Sequence, residues 1–203
     1  MRFVIIALVV FLVALVAGSL IRIGPDEIGV RSDNFGFSGR GIVQRDFGPG
    51  WHLNLPVVHT WTVFPGRVRR MELTKDPRHR SPIGRDALLV QSNDGDRVML
   101  DVALYYRITP GRAHRLLQDS GAADAHVPIL ESLTRDSLRA AFGKLGTEQF
   151  YDPAMRHDGT AKALVALREA LAPRHLEMVE IMIEDIEFDP KYEQKIKDKK
   201  LND

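Results

Sequence analysis

The 203-residue sequence predicts an α+β domain behind one N-terminal membrane-spanning helix. Three observations carry that expectation. Phe3 to Ile21 is one uncharged run, FVIIALVVFLVALVAGSLI. From Glu27 to Ile108 apolar residues alternate in short stretches punctuated by Gly and Pro, the mark of half-buried strands. After Pro110 the apolar spacing lengthens to about 3.6, the mark of helices, until a last alternating stretch at Glu177–Phe188.

The first run, at ~1.5 Å per residue, makes ~28 Å of helix against a hydrocarbon core of ~30 Å. Phe3 and Ile21 bound the expected span, with Val10 and Leu12 near its centre. A signal peptide is one alternative, with Met1-Arg2 as a weak basic start and Ala17-Gly18-Ser19 as a cleavage site, but the run is long for one. A buried core helix is the other, but it would be shorter and polar on one side. Arg2 and the amine flank one end, and Arg22, Arg31 and Arg40 the other, a distribution that does not decide orientation.

Gly24-Pro25 ends that helix. Short strands follow at Ile28–Val30, Gly41–Gln44, Trp51–Leu55 and Thr60–Phe64, and Pro77–Arg85 is polar and reads as a loop. Leu88–Gln91 and Arg97–Ile108 flank Asn93-Asp94-Gly95, where Asp-Gly supplies the positive φ of a hairpin turn. Helices are expected at Arg112–Gln118, at Val127–Leu145 with Pro128 in its first turn, and at Thr160–Ala172, which Pro173 stops. Thr147–Phe150 is a short turn with a Thr cap. The Glu177–Phe188 strand has apolar residues at both parities, as a strand buried on both faces would. Asp189-Pro190 opens a charged helix, Lys191–Leu201. The expected division is an anchor (1–23), a β-rich half (24–86), an α/β half (87–189) and the start of a C-terminal charged helix (190–203).

Composition narrows the class. Lys+Arg 28 against Asp+Glu 27 leaves net +1, without the basic excess of a nucleic-acid binder. The absence of cysteine excludes disulfide frameworks, thiolate zinc sites and thiol nucleophiles. The seven histidines make no HExxH or similar ligand spacing, and no GxSxG, P-loop or GxGxxG is present. No catalytic, cofactor-binding or metal residue is assigned. Asp94-Gly95 reads as a turn, and Asp96 and Asp101 as solvated or paired, because calcium loops need a denser ligand set.

Two basic groups have a bland and a sharp reading. Arg67, Arg69, Arg70, Lys75, Arg78, Arg80 and Arg85 cluster before the hairpin. They are a solvated strand edge and loop, or else Arg67, Arg69, Arg70, Arg78 and Arg80 meet anionic headgroups, at ~1 kcal/mol per residue. Phe35, Phe37, Phe47, Trp51 and Trp61 in the same half are core or an interfacial aromatic belt. Arg135 and Arg139, four apart on a helix, are a solvated face or a contact to a neighbouring subunit.

In order, the chain carries Phe47-Gly-Pro-Gly-Trp-His-Leu-Asn-Leu-Pro56, then Asn93-Asp-Gly-Asp-Arg-Val-Met-Leu-Asp-Val-Ala-Leu-Tyr-Tyr-Arg-Ile-Thr-Pro110. Leu133-Thr-Arg-Asp-Ser-Leu-Arg139, Gly143-Lys-Leu-Gly-Thr-Glu-Gln-Phe-Tyr151 and a strand into Ile186-Glu-Phe-Asp-Pro190 follow. Behind an apolar anchor, this series resembles the band 7 or SPFH family of stomatins, prohibitins, flotillins and the HflK and HflC proteins, over residues 22–200. The resemblance implies a non-enzymatic SPFH domain, without cofactor, that assembles into a large homo- or hetero-oligomeric ring or cage. It implies the organisation of membrane microdomains or the regulation of membrane proteins, with lipid, a membrane-bound protease or an NfeD-like protein as partners. It places the chain in a bacterial inner membrane, single-pass, with the domain leaning to the periplasmic side as in HflC-like relatives. Relatives have a small residue, often Gly, before the last strand, where this chain has Arg174-His175-Leu176, and Pro77–Arg85 is an atypical lengthened loop. Relatives also continue into a long coiled coil, so Lys191–Asp203 is expected to be a helix in mid-course. The alternatives from other classes are a monomeric membrane-tethered ligand-binding domain and a hydrolase with a dispersed triad.

Overall fold

A computed structural model describes residues 19–35, 40–75 and 87–188. Within them the order is β1 (Leu20–Ile23), β2 (Glu27–Asp33), β3 (Gly41–Phe47), β4 (Gly50–Leu53), β5 (His59–Pro65), β6 (Arg69–Leu73), β7 (Leu88–Gln91) and β8 (Arg97–Ile108). Helices α1 (Ala113–Ser120), α2 (Val127–Phe142) and α3 (Pro153–Leu171) come next, with short 3₁₀ turns at Thr147–Tyr151 and Ala172–Arg174. Strand β9 (Leu176–Phe188) ends the described chain. The mixture is α+β, and it folds as two compact units.

The first unit combines the chain up to residue 67 with residues 108–125. β1 pairs antiparallel with β4, and β2 lies between β3 and β5. The β2–β3 register shifts between Val30, opposite Asp46, and Ser32, opposite Ile42. Val30 and Phe64 are fully buried at the centre of this unit. α1 has no cap of its own. Asp46 of β3 supplies one, accepting from the backbone N–H groups of Ala113 (2.9 Å) and His114 (2.8 Å), which orders the helix's first turn.

The predicted span needs a correction at its end. Ile21 is not helical; it sits in β1 opposite His52. Leu20-Ile-Arg-Ile23 alternates as a strand does, and pairing with β4 overrides the apolar run. Phe3, Val10 and Leu12 lie outside the described residues, among which no helix is long and apolar enough to cross a membrane.

The second unit comprises residues 68–107 and those from 126 onward. The helix 112–118 and strand β6 therefore do not follow a simple cut of the chain at residue 86. β8 is its spine. β6 pairs with Val102–Tyr106 and β7 with Arg97–Leu100, so the two short strands follow one another along it, and β9 also pairs with β8. Alternation buries Val98, Leu100, Val102, Leu104 and Tyr106 on one face. Gly95, at φ 88°, closes the hairpin as the Asp-Gly pair requires.

α2 starts with Pro128 in its first turn and buries Val127, Leu130, Thr134, Leu138 and Phe142. α3 packs on it. Gly159 makes the approach possible: a Cβ there would stand 3.3 Å from the Phe142 ring. α3 begins about two turns before the predicted Thr160, because Asp152 accepts from Ala154 N at 2.8 Å and Pro153 occupies the first turn. It ends at Leu171, and His175 then adopts φ 62°. That left-handed conformation is one that Gly reaches without a Cβ clash, and here a histidine holds it. The predicted helix 191–201 lies outside the described residues.

Candidate membrane interface

The apolar surface of the first unit concentrates on β1, β4 and the loop after β4. Leu20 faces Leu53 across the pair, and Arg22 faces Trp51, its guanidinium 6.0 Å from the indole centroid. Trp51 is 66% exposed, Leu53 54% and Val57 75%, and Leu20 and Leu55 are exposed beside them. Isolated exposed apolar residues are ordinary, but a run of large ones on one strand pair and its loop marks a binding surface.

The loop is held firmly. Val57 has φ 76°, a region that a β-branched residue rarely enters. Asn34 donates from Nδ2 to Val57 O (3.2 Å) and from its backbone to Val58 O (2.7 Å). Leu55 O accepts from Val58 N and His59 N, while Leu55 N donates to His59 Nδ1 at 3.1 Å. Asn54 N donates to Ser19 O at 2.8 Å, tying the loop's start to the residue where the described chain begins. The backbone is over-determined, and its bonds turn the Val57 side chain out to solvent.

Of the aromatic residues singled out in the sequence, Trp51 and Phe35 are exposed. Phe47 and Trp61 pack edge to face at 4.9 Å, with His52 5.4 Å from Phe47. His52 Nε2 also bonds Gly48 O at 2.8 Å, so the Gly48-Pro49-Gly50 turn is stapled by the histidine that follows it. Phe37 lies outside the described residues. Sequence reading missed Leu53, Leu55 and Val57; the available signal was Leu53-Asn-Leu55 entering a proline turn, which looks the same in a core strand.

The described members of the basic cluster are engaged by their own protein. Arg67 pairs with Asp26, and the carboxylate raises the guanidinium's pKa above its ordinary value. Arg69 lies over the Tyr106 ring at 5.9 Å. Arg70 contacts both Glu72 and Glu184, and Lys75 pairs with Glu187 at 3.2 Å. Arg78 and Arg80 lie outside the described residues, as does Arg85. Arg135 donates to Glu131 within α2 at 2.9 Å, and Arg139 donates to Leu89 O at 3.2 Å, closing the edge of β7.

The hairpin turn and the Gly-Thr segment meet in a polar knot. Thr147 N donates to Asp94 Oδ2 (2.7 Å), and Thr147 Oγ1 donates to Asp96 Oδ2 (3.0 Å) and lies 2.9 Å from Ser92 Oγ. Asn93 N donates to Leu145 O at 2.9 Å. Thr147 is therefore a buried clamp, and the cap position of its turn belongs to Gly146. Asp101 accepts from Thr74 Oγ1 at 2.6 Å. These carboxylates hold strands and turns together, and no acidic or histidine group suited to a metal is found among the described residues.

One unit has an exposed apolar strand pair next in sequence to a long uncharged run, and a second, tied by its Asp-Gly hairpin and Gly-Thr turn, joins two long strands to two packed helices. The sequence matches the family model described as SPFH domain / Band 7 family over residues 21–202, and the chain belongs to that family. No curated protein matches the chain. Members of the family are generally membrane-associated scaffolds rather than enzymes.

Proposed function

We propose that this chain is a membrane-anchored scaffold whose first unit rests its apolar rim on the bilayer and whose copies assemble side by side into a large ring or cage. The observation that carries the reading is the exposed row Leu20, Trp51, Leu53, Leu55 and Val57, which begins within the last residues of the uncharged run Phe3–Ile21. A helix through Phe3–Gly18 delivers the chain to the interface, where Trp and Leu side chains are favoured and Arg22 keeps its charge in water. Such an assembly encloses a membrane patch and restrains proteins within it, a membrane-bound protease or an NfeD-like protein being the partners that resemblance suggests. The setting proposed with it is a bacterial inner membrane with the domain on the non-cytoplasmic side. Contacts through the polar side of α2, with Arg135 and Arg139, belong to the same proposal, although each arginine would then leave a partner inside the protein.

Trp51 and Trp61 are the chain's two tryptophans, one exposed and one half-buried, and they report on the interface directly. Full-length protein reconstituted in vesicles with lipids brominated near the headgroup should show quenching of Trp51 in a Trp61→Phe background. Trp61 in a Trp51→Phe background should be quenched far less. Equal insensitivity of both would remove the bilayer contact. Sedimentation in mild detergent tests assembly, and a monomer there would favour the membrane-tethered binding domain.

A further inference from the structure

β9 pairs with β8 alone among the described strands, so its other edge lies outside any sheet they form. At the start of that edge α3 closes it. Arg168 donates from Nε to Met178 O and from Nη2 to Val179 O, each at 2.8 Å. Farther along, strand and helix part, and a groove of about 460 Å³ opens between β9 and the first turns of α3. Ligand sites ordinarily span about 300–1,000 Å³. Ile183 and Asp185 line the groove together with Glu184 and Ile186. Successive side chains of a strand point to opposite faces, so a wall of both parities means that the groove follows the strand's edge. Tyr151, stacked on Phe188 at 4.5 Å, lines it as well.

The edge is open to an incoming chain. The Ile186 N–H donates to the Asp185 side chain at 2.8 Å, in an exposed position. A carboxylate one residue away thus covers the amide, one of the ways in which charged side chains blunt a strand edge. An extended chain laid alongside replaces such local cover with ladder bonds. In that mode of recognition main-chain bonds give affinity and pockets for alternate side chains give specificity.

Charge sets the kind of chain. Glu184 is answered by Arg70, and Asp185 by the Ile186 amide. Arg156, on the helical wall, is half-buried, and its guanidinium makes no ion pair among the described residues. Its carbonyl is engaged within α3, accepting from Thr160 Oγ1 at 2.8 Å. The unanswered charge of the groove is therefore positive, and it stands among isoleucines, where a paired charge is far cheaper than a lone one. A chain end supplies the matching group, a planar carboxylate that a guanidinium meets with two parallel bonds.

We infer that this groove receives the extended C-terminal segment of a partner protein. The segment adds to the free edge of β9, its apolar side chains lie against Ile181, Ile183 and Ile186, and its terminal carboxylate meets Arg156. All of these residues belong to the second unit of one copy, so the site does not depend on assembly. It goes beyond the scaffold reading by giving the protein a means of choosing which chain it holds.

The probes are hexapeptides alternating Thr with Val or Ile, fluorescein-labelled at the amino end, each made as the free acid and as the C-terminal amide. Anisotropy is read with full-length protein in lipid nanodiscs. The free acid should bind saturably, and amidation should weaken binding about tenfold, the scale of one charge-assisted hydrogen bond. Methylating alternate backbone amides of the peptide should abolish binding in one of the two registers. Arg156→Gln should bring the acid down to the level of the amide, Arg156→Lys should keep part of the difference, and Ile183→Ser should weaken both forms. Equal binding of acid and amide, or an acid indifferent to Arg156→Gln, would overturn the carboxylate contact. Peptides that bind whichever amides are methylated would overturn strand addition, and no binding at all would overturn the site. Oleate that displaces the peptides and binds more tightly than they do would give the groove to a lipid tail instead. Sedimentation of the same preparations tests the scaffold separately: a monomeric wild type would remove the scaffold and leave the peptide site, and a large particle that binds no acid peptide would do the reverse.

Discussion

Val57 is the clearest case of a residue serving something other than stability. A β-branched side chain at φ 76° stores strain, of order 1–3 kcal/mol for such a conformation, and it is 75% exposed, so burial does not repay it. Val57→Gly removes both the strain and the apolar tip. We expect it to raise unfolding stability by up to ~1 kcal/mol, tempered by the greater freedom of the unfolded chain, while weakening quenching of Trp51 by brominated lipid. Denaturant melts and quenching on the same preparation check the opposed signs, and a loss in both would assign Val57 to structure. Thr147 is the converse case. Its hydroxyl lies between Ser92 and Asp96, so Thr147→Val, equal in shape, removes both bonds; Ser92 Oγ keeps the Asp96 N–H at 3.1 Å and Asp96 is half-exposed, so the cost in the same melts should be ~1 kcal/mol. The Asp94-Gly95 turn was legible from sequence, and Gly95 adopts the positive φ that the pair announces. The pairing of Asp94 and Asp96 with Thr147 was not, because more than fifty residues separate partners that only the fold joins.

Among the elements, the outer face of the second unit's sheet is laced by charge. Arg107 at the end of β8 grips Glu177 at the start of β9 in a forked pair of 2.9 and 3.0 Å bonds. The hydrogen bonds from Arg107, with its charge, hold the Glu177 carboxyl below the ordinary carboxylate range. A depressed folded-state value stabilises above the unfolded value, near 4.3, and the contribution disappears as pH falls through the folded value. Both side chains are 40% exposed, so solvent screens the pair and the effect on melting is small. The sharper readout is the Glu177 carboxyl itself, followed by NMR: Arg107→Gln should move its titration upward, and an unmoved midpoint would deny the coupling. This ladder explains how a strand apolar at both parities can still have a wet face. Met178 and Ile181 are buried while Met182 is exposed, so the alternation slips along β9 and its sequence suggested more cover than the described residues provide. Boundaries were misread where a local signal was absent or ambiguous. The first turns of α3, Pro153–Gly159, hold both helix-disfavouring residues and little apolar periodicity. β6 is two arginines followed by three buried residues, a strand visible only from its β8 register.

For the molecule as a whole, the competing accounts of membrane contact differ in how they respond to salt. If the arginines after β5 held the domain to anionic headgroups, contact would weaken steeply as salt rises, because screening over ~3 Å at 1 M leaves little attraction between exposed charges. The described basic residues of that stretch are occupied: Arg67 with Asp26, Arg70 with Glu72 and Glu184, Lys75 with Glu187, and Arg69 over Tyr106. Net charge is only +1, which gives no long-range pull toward an anionic surface. The apolar rim, by contrast, works by removing hydrocarbon from water, and that driving force does not weaken with added salt. We therefore expect Trp51 quenching by brominated lipid to persist from low salt to ~1 M NaCl, and to be the same in zwitterionic vesicles as in vesicles rich in anionic lipid. Replacing Leu53 and Leu55 by Ser should abolish it at every salt concentration while the anchor still retains the protein in the membrane. Quenching that vanished with salt and required anionic lipid would transfer the contact to the basic loop. The rim would then be free to meet another protein.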